Sequence, residues 1–224
     1  MVGNFFQQIY NITDTAIVGR AVGLQVLAAV GSVGSTLFLV MGFAQAATGG
    51  LAIPLAQRFG ANDESGVRRS FAVSALISLV IALVITGAGV FYAPQIIALL
   101  QTPNDMFAYA VDYLRTVFTG AIFTVAYNLL ANVIRALSDS RMPLYFLILA
   151  ALINLTLDLV FMLSFGWGVV GAGAATVLSQ GIASACCLFY IYRRIPALHV
   201  TRENWRVHRA DVAAHLRIGL PMGF

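Results

Sequence analysis

Long apolar stretches separated by short polar segments dominate the pattern of this chain. They cover about 1–19, 28–56, 70–92, 107–136, 144–163 and 169–192, and a further apolar stretch begins near 215. All but the first have roughly the 20 residues that a helix needs to cross the hydrocarbon core of a bilayer. The pattern predicts an all-α integral membrane protein, a bundle of six transmembrane helices with a truncated first helix and the start of a seventh.

The connections between these stretches are short. The segment 57–69 is charged and predicts a loop, and 137–143 predicts a tight turn. Pro94 and Pro103 lie between the third and fourth stretches, where they predict a turn with a short interfacial helix over 93–106. We therefore divide the chain into a six-helix lobe (1–192), a polar linker (193–214) and the start of a seventh helix (215–224).

The fifth stretch carries two polar side chains near its middle. Asn154 and Asp158 are four residues apart, so they lie on one face of a helix, one turn from each other. An ionisable side chain inside the hydrocarbon region is costly, and by default it indicates a functional site that faces protein or water. The alternative is a structural hydrogen bond between helices.

The first stretch has a polar stripe of its own. Asn4, Gln7, Asn11 and Asp14 recur at spacings of three and four residues, which places them on one helical face. Burial disfavours the charged form of a carboxyl group, and a second carboxylate nearby disfavours it further. If Asp14 and Asp158 share the interior of the bundle, the pair would hold a proton or a cation in one state and release it when water enters. A helix-end position for Asp14 remains the alternative.

Other polar residues on the apolar stretches are open to two interpretations. Each could line a substrate cavity or could hold neighbouring helices together. These residues are Gln7, Tyr10, Asn11, Tyr127, Asn128, Asn132 and Gln180. The adjacent Cys186 and Cys187 indicate neither a disulfide framework nor a metal site.

Composition and charge support a membrane protein and indicate its orientation. Only 10% of the residues are charged and the mean hydropathy is +0.87, whereas soluble domains are about 25% charged. The net charge of +4 could suggest nucleic-acid binding, but the arginines lie at the ends of apolar stretches. With alternating spans, one side collects Arg58, Arg68, Arg69, Arg135, Arg141, Arg193, Arg194, Arg202, Arg206, Arg209 and Arg217. The positive-inside rule places these loops and the linker in the cytoplasm of a multi-pass protein of the cell (inner or plasma) membrane.

Five short motifs, in order along the chain, resemble those of the multidrug and toxic compound extrusion (MATE) family. They are Tyr10–Arg20 with Leu27–Gly31, then Pro54–Ala61, Arg135–Pro143, Asn154–Asp158 and Gly168–Gln180. The resemblance implies a six-helix lobe with a cation site inside it. Its residues would be Asp14 on the first helix, Asn154 and Asp158 on the fifth and Thr176 on the sixth, and the cation would be H⁺ or Na⁺.

The resemblance also implies a larger assembly. Members of this family have twelve spans in two six-helix lobes, so we expect the chain to be the N-terminal lobe of a longer transporter. Its partners would then be the lipid bilayer and the missing C-terminal lobe, or a second copy of the chain.

The expected function is secondary active efflux, with antiport of small organic, often cationic, molecules against H⁺ or Na⁺. No enzyme activity, nucleic-acid partner or cofactor beyond the coupling ion is expected. A lipid-linked sugar flippase of the same superfamily is one alternative, although Arg135 is its only candidate for a cationic cavity. An inactive fragment is another. An intramembrane transferase would need clustered acids for magnesium and diphosphate, which Asn154 and Asp158 alone do not supply.

Overall fold

The computed structural model describes residues 24–137, 139–199, 209–219 and 221, and every regular element among them is helical. The helices are α1 (Leu24–Gly60), α2 (Glu64–Leu99), α3 (Asn104–Thr119), α4 (Ala121–Ala136), α5 (Arg141–Leu159), α6 (Gly168–Arg194) and α7 (Arg209–Gly219). A π-helical turn, Val160–Ser164, follows α5 directly, and Pro196–Leu198 form a 3₁₀ turn after α6. The all-α prediction is confirmed.

Four of these helices are long and apolar enough to cross a membrane: α1, α2, α5 with its π-helical turn, and α6. The pair α3 and α4 is bent by 46° and together counts as a fifth candidate span. The predicted first span, 1–19, lies outside the described residues. Because short turns connect the spans, successive spans run in opposite directions. One end of the bundle, which we call the arginine-rich end, carries Arg58, Arg68, Arg135, Arg141 and Arg193.

The turns are tighter than the sequence pattern predicts. Helix α1 continues to Gly60 and α2 begins at Glu64, so residues 61–63 alone form the connection. Asp63 explains this start, because its carboxylate accepts a hydrogen bond from Gly66 N at 2.9 Å and caps the helix. That contact lowers the pKa of Asp63, with a further contribution from the Ser65 hydroxyl.

The prediction of a turn near Pro94 is wrong, because α2 runs through this proline to Leu99. A proline inside a helix removes one backbone hydrogen bond, a loss that packed transmembrane helices tolerate. The chain turns instead at Leu100–Pro103, where Gln101 takes a positive φ of 53°.

The predicted fourth span is also not one straight helix. It bends at Gly120, the residue between α3 and α4. A Cβ atom at Gly120 would overlap both Cγ atoms of Val177 on α6. Glycine therefore lets the bend approach α6 closely, as small residues do where membrane helices pack.

The surface of the bundle is apolar where it would face lipid. Phe38 is 78% exposed and Phe91 is 71% exposed, and α2 presents a row of exposed Leu and Val residues. The interior contains small residues, among them Ser70, Ser74 and Thr48, which are fully buried. An apolar outer surface around an interior that also holds small polar residues fits a multi-pass membrane protein.

Helix α7 packs against the arginine-rich end. Val212 and Leu216 pack against buried residues of α1 and α2, including Leu51 and Val73. At the start of this contact, Arg58 Nη2 lies 2.8 Å from Asp211 Oδ1. The helix spans the predicted boundary between the linker and the seventh helix.

Candidate functional site

The polar face of α5 points into the bundle. Asn154 is 1% exposed and Asp158 is fully buried, whereas Leu152 and Leu159 on other faces are 58% and 41% exposed. The four-residue spacing therefore places both polar groups inward, in a helix that is otherwise apolar.

Helix α6 supplies a hydroxyl group to the same place. Asn154 Nδ2 donates a hydrogen bond to Thr176 Oγ1 at 3.4 Å, and the Thr176 hydroxyl donates to Ala172 O at 3.1 Å. The structure thus brings together Asn154 and Thr176, with Asp158 one helical turn farther along α5. Carboxylate, amide and hydroxyl oxygens are the ligands that hard cations prefer.

The helix changes form immediately after Asp158. Phe165 N donates to Val160 O at 3.2 Å, the five-residue spacing of the π-helical turn Val160–Ser164. Such turns are rare and occur frequently at functional sites. Here the turn brings Phe161 and Phe165 against Trp167, whose ring centroid lies 5.0 Å from that of Phe161. The buried carboxyl group therefore lies just before an irregular, aromatic end of the α5–α6 hairpin.

Four of the predicted site residues, Asp14, Gln7, Tyr10 and Asn11, lie outside the described residues. Their assignment to the cation site or to a substrate cavity stays a prediction.

The remaining cavity candidates lie in different parts of the bundle. Tyr127 is 5% exposed, and its hydroxyl donates to Pro143 O at 3.1 Å, a contact between α4 and α5. Asn132 Nδ2 donates to Thr48 Oγ1 at 3.4 Å and its Oδ1 accepts from Arg135 Nη1 at 2.7 Å. Asn128 and Gln180 are half-buried, and Gln180 lies one turn from Thr176. The contacts of Tyr127 with Pro143 and of Asn132 with Thr48 hold helices together. The cavity assignment stays a prediction.

Sequence reasoning missed a polar contact between α5 and α6. Asp139 Oδ1 accepts hydrogen bonds from Arg141 N at 3.1 Å and Met142 N at 3.2 Å. Its Oδ2 accepts from the Tyr190 hydroxyl at 2.5 Å, which is the largest cause of a lowered pKa for Asp139. An Asp just before an apolar helix is an N-cap signal, but its partner 51 residues later carries no signal in the sequence.

Comparison with known proteins gives a consistent result. A family model described as MatE matches residues 1–160. The chain is 31% identical over 226 residues to the probable multidrug resistance protein YpnP of Bacillus subtilis, covering 100% of this chain and 50% of that protein. It is 20% identical over 221 residues to the multidrug export protein MepA of Staphylococcus aureus, covering 99% and 49%.

The solved structures that resemble the chain are also MATE transporters. A crystal structure of a MATE mutant has a TM-score of 0.89 and 26% identity, with 100% of this chain and 50% of that chain covered. An inward-facing multidrug resistance MATE family transporter of the MOP superfamily also has a TM-score of 0.89 and 26% identity, covering 97% and 49%. The chain spans about half the length of the relatives and structures that it matches.

Proposed function

The chain belongs to the MATE family. From this premise we propose that it forms a six-helix lobe of a secondary transporter, which exports organic molecules in exchange for a cation that enters down its gradient. Relatives of the chain are named multidrug resistance and multidrug export proteins, which supports multidrug efflux. The coupling cation would be H⁺ or Na⁺, and the substrates small organic, often cationic, molecules.

One observation carries the proposal: the fully buried Asp158 beside the Asn154–Thr176 contact. A carboxyl group in this position has a high cost in its charged form unless it is compensated. A bound proton would remove the charge, and a bound Na⁺ would compensate it, with the oxygens of Asp158, Asn154 and Thr176 as the candidate ligands. Asp14, which lies outside the described residues, would be the second acid of the site.

Coupling follows from the difference between the loaded and unloaded site. Loading with a cation favours the arrangement in which α5 and α6 close around Asp158, whereas unloading leaves a negative charge that favours an arrangement with water or a cationic substrate nearby. A ligand shifts such an equilibrium only by its difference in affinity for the two states. Cation and substrate would thus occupy the lobe alternately, which is the requirement for antiport with alternating access.

The lipid-linked sugar flippase is the less favoured function. It would need a cationic cavity, for which Arg135 is the sequence candidate. That arginine is exposed at the arginine-rich end, and its guanidinium group donates a hydrogen bond to Asn132 Oδ1.

The positive-inside rule would place this end in the cytoplasm of a cell-membrane protein.

The test is ethidium efflux from cells that express the natural reading frame encoding this chain. We expect Asp158→Asn to reduce efflux to that of cells without the gene, because the amide cannot exchange a proton or compensate a cation's charge. The matched control is Asp112→Asn, since Asp112 is an exposed acid on α3 and should leave efflux unchanged. Collapsing the proton gradient or the sodium gradient separately identifies the coupling cation. Wild-type efflux by Asp158→Asn would contradict the proposal.

A further inference from the structure

Two polar contacts connect α5 and α6, and both fit one alignment of the helices. At the arginine-rich end, Asp139 accepts from Tyr190, and in the interior Asn154 donates to Thr176. Asn154 follows Asp139 by 15 residues, and Thr176 precedes Tyr190 by 14. At a rise of about 1.5 Å per residue, the helical part from Arg141 to Asn154 is about 20 Å long and that from Thr176 to Tyr190 about 21 Å, with Asp139 two residues before the start of α5. The two contacts therefore share one register.

We propose that Asp139 is a positioning residue for the cation site: its contact with Tyr190 sets the register at which Asn154 meets Thr176. This inference rests on the proposed function for the role of that site. The register itself is a structural property and can be measured without transport.

The surfaces between the two contacts do little to select a register. The buried residues between them include Ala150, Ala183 and Cys187, small side chains that fit more than one alignment of the helices. In lipid, helix association depends on such packing and on a few hydrogen bonds. A directional hydrogen bond at one end of the α5–α6 pair, such as that between Asp139 and Tyr190, can therefore select one alignment among several that pack about equally well.

Asp139 is suited to this task because it contacts both helices at once. One carboxylate oxygen accepts from two backbone N–H groups at the start of α5, while the other accepts from the hydroxyl of Tyr190. Hydrogen bonds to an ionised acceptor are about twice as strong as neutral ones. The ring of Tyr190 is also held, since it packs edge-on against Phe146 of α5 with centroids 6.0 Å apart.

Shifting either helix by one turn would separate Asn154 from Thr176 and bring a different α6 residue opposite it. Ala172 lies one turn toward one end and Gln180 one turn toward the other. Ala172 offers no side-chain oxygen, and Gln180 offers a longer amide. The composition of the cation site thus depends on the register.

Cysteine crosslinking of the membrane-embedded chain tests the register directly. In a C186A/C187A background, cysteine replaces Asn154 together with Thr176, Ala172 or Gln180, and oxidative crosslinking rates are compared for the three pairs. With Asp139 present, the 154–176 pair should crosslink fastest. D139A should lower the rate of this pair relative to the other two by about tenfold, the change expected for the loss of a charge-assisted hydrogen bond.

Two further variants separate positioning from general loss of folding. D139N keeps an oxygen for the backbone N–H groups but replaces the charged acceptor of the Tyr190 hydroxyl with an NH2 group, so it preserves the start of α5 and should lower the preference for 154–176 as Y190F does. Y190F keeps the ring against Phe146 and removes the hydroxyl, so it should reproduce the effect of D139A. An unchanged preference in Y190F would overturn the proposal, even if D139A fails to fold.

Transport adds a second readout in the natural reading frame. Y190F should raise the cation concentration needed for half-maximal efflux by about tenfold while preserving the maximal rate per folded protein. A purely structural defect would lower the maximal rate instead, and that result with an unchanged register would overturn the proposal. Efflux that is insensitive to Asp158→Asn would refute the proposed function, whereas the crosslinking result would still decide the role of Asp139.

Discussion

Replacing Gly120 with alanine is expected to lower the free energy of unfolding by about 2–3 kcal/mol, a typical cost of overpacking a close contact. The added Cβ would overlap both Cγ atoms of Val177 and lie 2.7 Å from its Cβ. Valine is stiff about χ1, so it cannot turn away, and the bend between α3 and α4 must move off α6. The φ of −90° at Gly120 suits any residue, so the effect is steric. Thermal unfolding of the purified protein in detergent measures it.

Two variants control this prediction. Gly42→Ala adds the same methyl group to α1 where nothing lies within 4 Å of the new Cβ, and it should be neutral or slightly stabilising because alanine favours helix. Val177→Ala should recover part of the loss when it is combined with Gly120→Ala, because it removes both Cγ atoms but keeps the Cβ at 2.7 Å. If the single Gly120→Ala variant unfolds at the wild-type temperature, the close approach of the bend to α6 does not exist.

Reversing the charge of Arg58 is expected to release α7 from the bundle, at a cost of about 2–3 kcal/mol. The guanidinium group contacts both Asp211 Oδ1, at 2.8 Å, and Gly66 O, at 3.0 Å. The side chains of Arg58 and Asp211 are 28% and 13% exposed, so solvent screens this pair only in part. A carboxylate at position 58 would face Asp211 and a backbone carbonyl.

Thiol labelling reports the release. In a cysteine-free background, cysteine at position 215 should be protected, because His215 on α7 is fully buried. R58D should raise its labelling rate roughly 30- to 150-fold, the population change that corresponds to this free energy. Cysteine at the exposed position 213 is the reference and should label rapidly throughout. The swap R58D/D211R should restore protection, and a swap that stays as reactive as R58D would show that the ion pair does not hold α7.

The parts of the structure that could be predicted from sequence are those set by local periodicity. Apolar length predicts the helices, and a four-residue spacing places Asn154 and Asp158 on one inward face. The course of the chain at Pro94 and Gly120 was not predictable in this way, because packing decides whether a proline interrupts a helix and whether a glycine bends one.

Contacts between residues far apart in the sequence could not be predicted for the site either. Nothing in the residues around Asp139 indicates Tyr190, since these two side chains meet only after α5 and α6 pair. Nothing in the sequence around Thr176 distinguishes it from other threonines on apolar helices. It became a candidate through the family resemblance alone. Asp14 and its neighbours stay predictions.

The exposed leucines of α5 have a consequence for how the protein is made. Helix α5, with Asn154 and Asp158, is synthesised before α6, which carries Thr176. We therefore expect α5 to enter the membrane before it can pack against α6. On biological insertion scales a central Asp opposes entry by about 3 kcal/mol, whereas each Leu, Ile, Phe or Val favours it by about 0.3–0.6 kcal/mol. Leu149, Leu152 and Leu159 on α5 and Leu163 in the π-helical turn, all 40–62% exposed, belong to the apolar set that offsets this cost. We therefore expect these outward leucines to favour membrane insertion of the helix that carries the site, so that replacing them with serine reduces the amount of inserted protein before it affects the folded lobe.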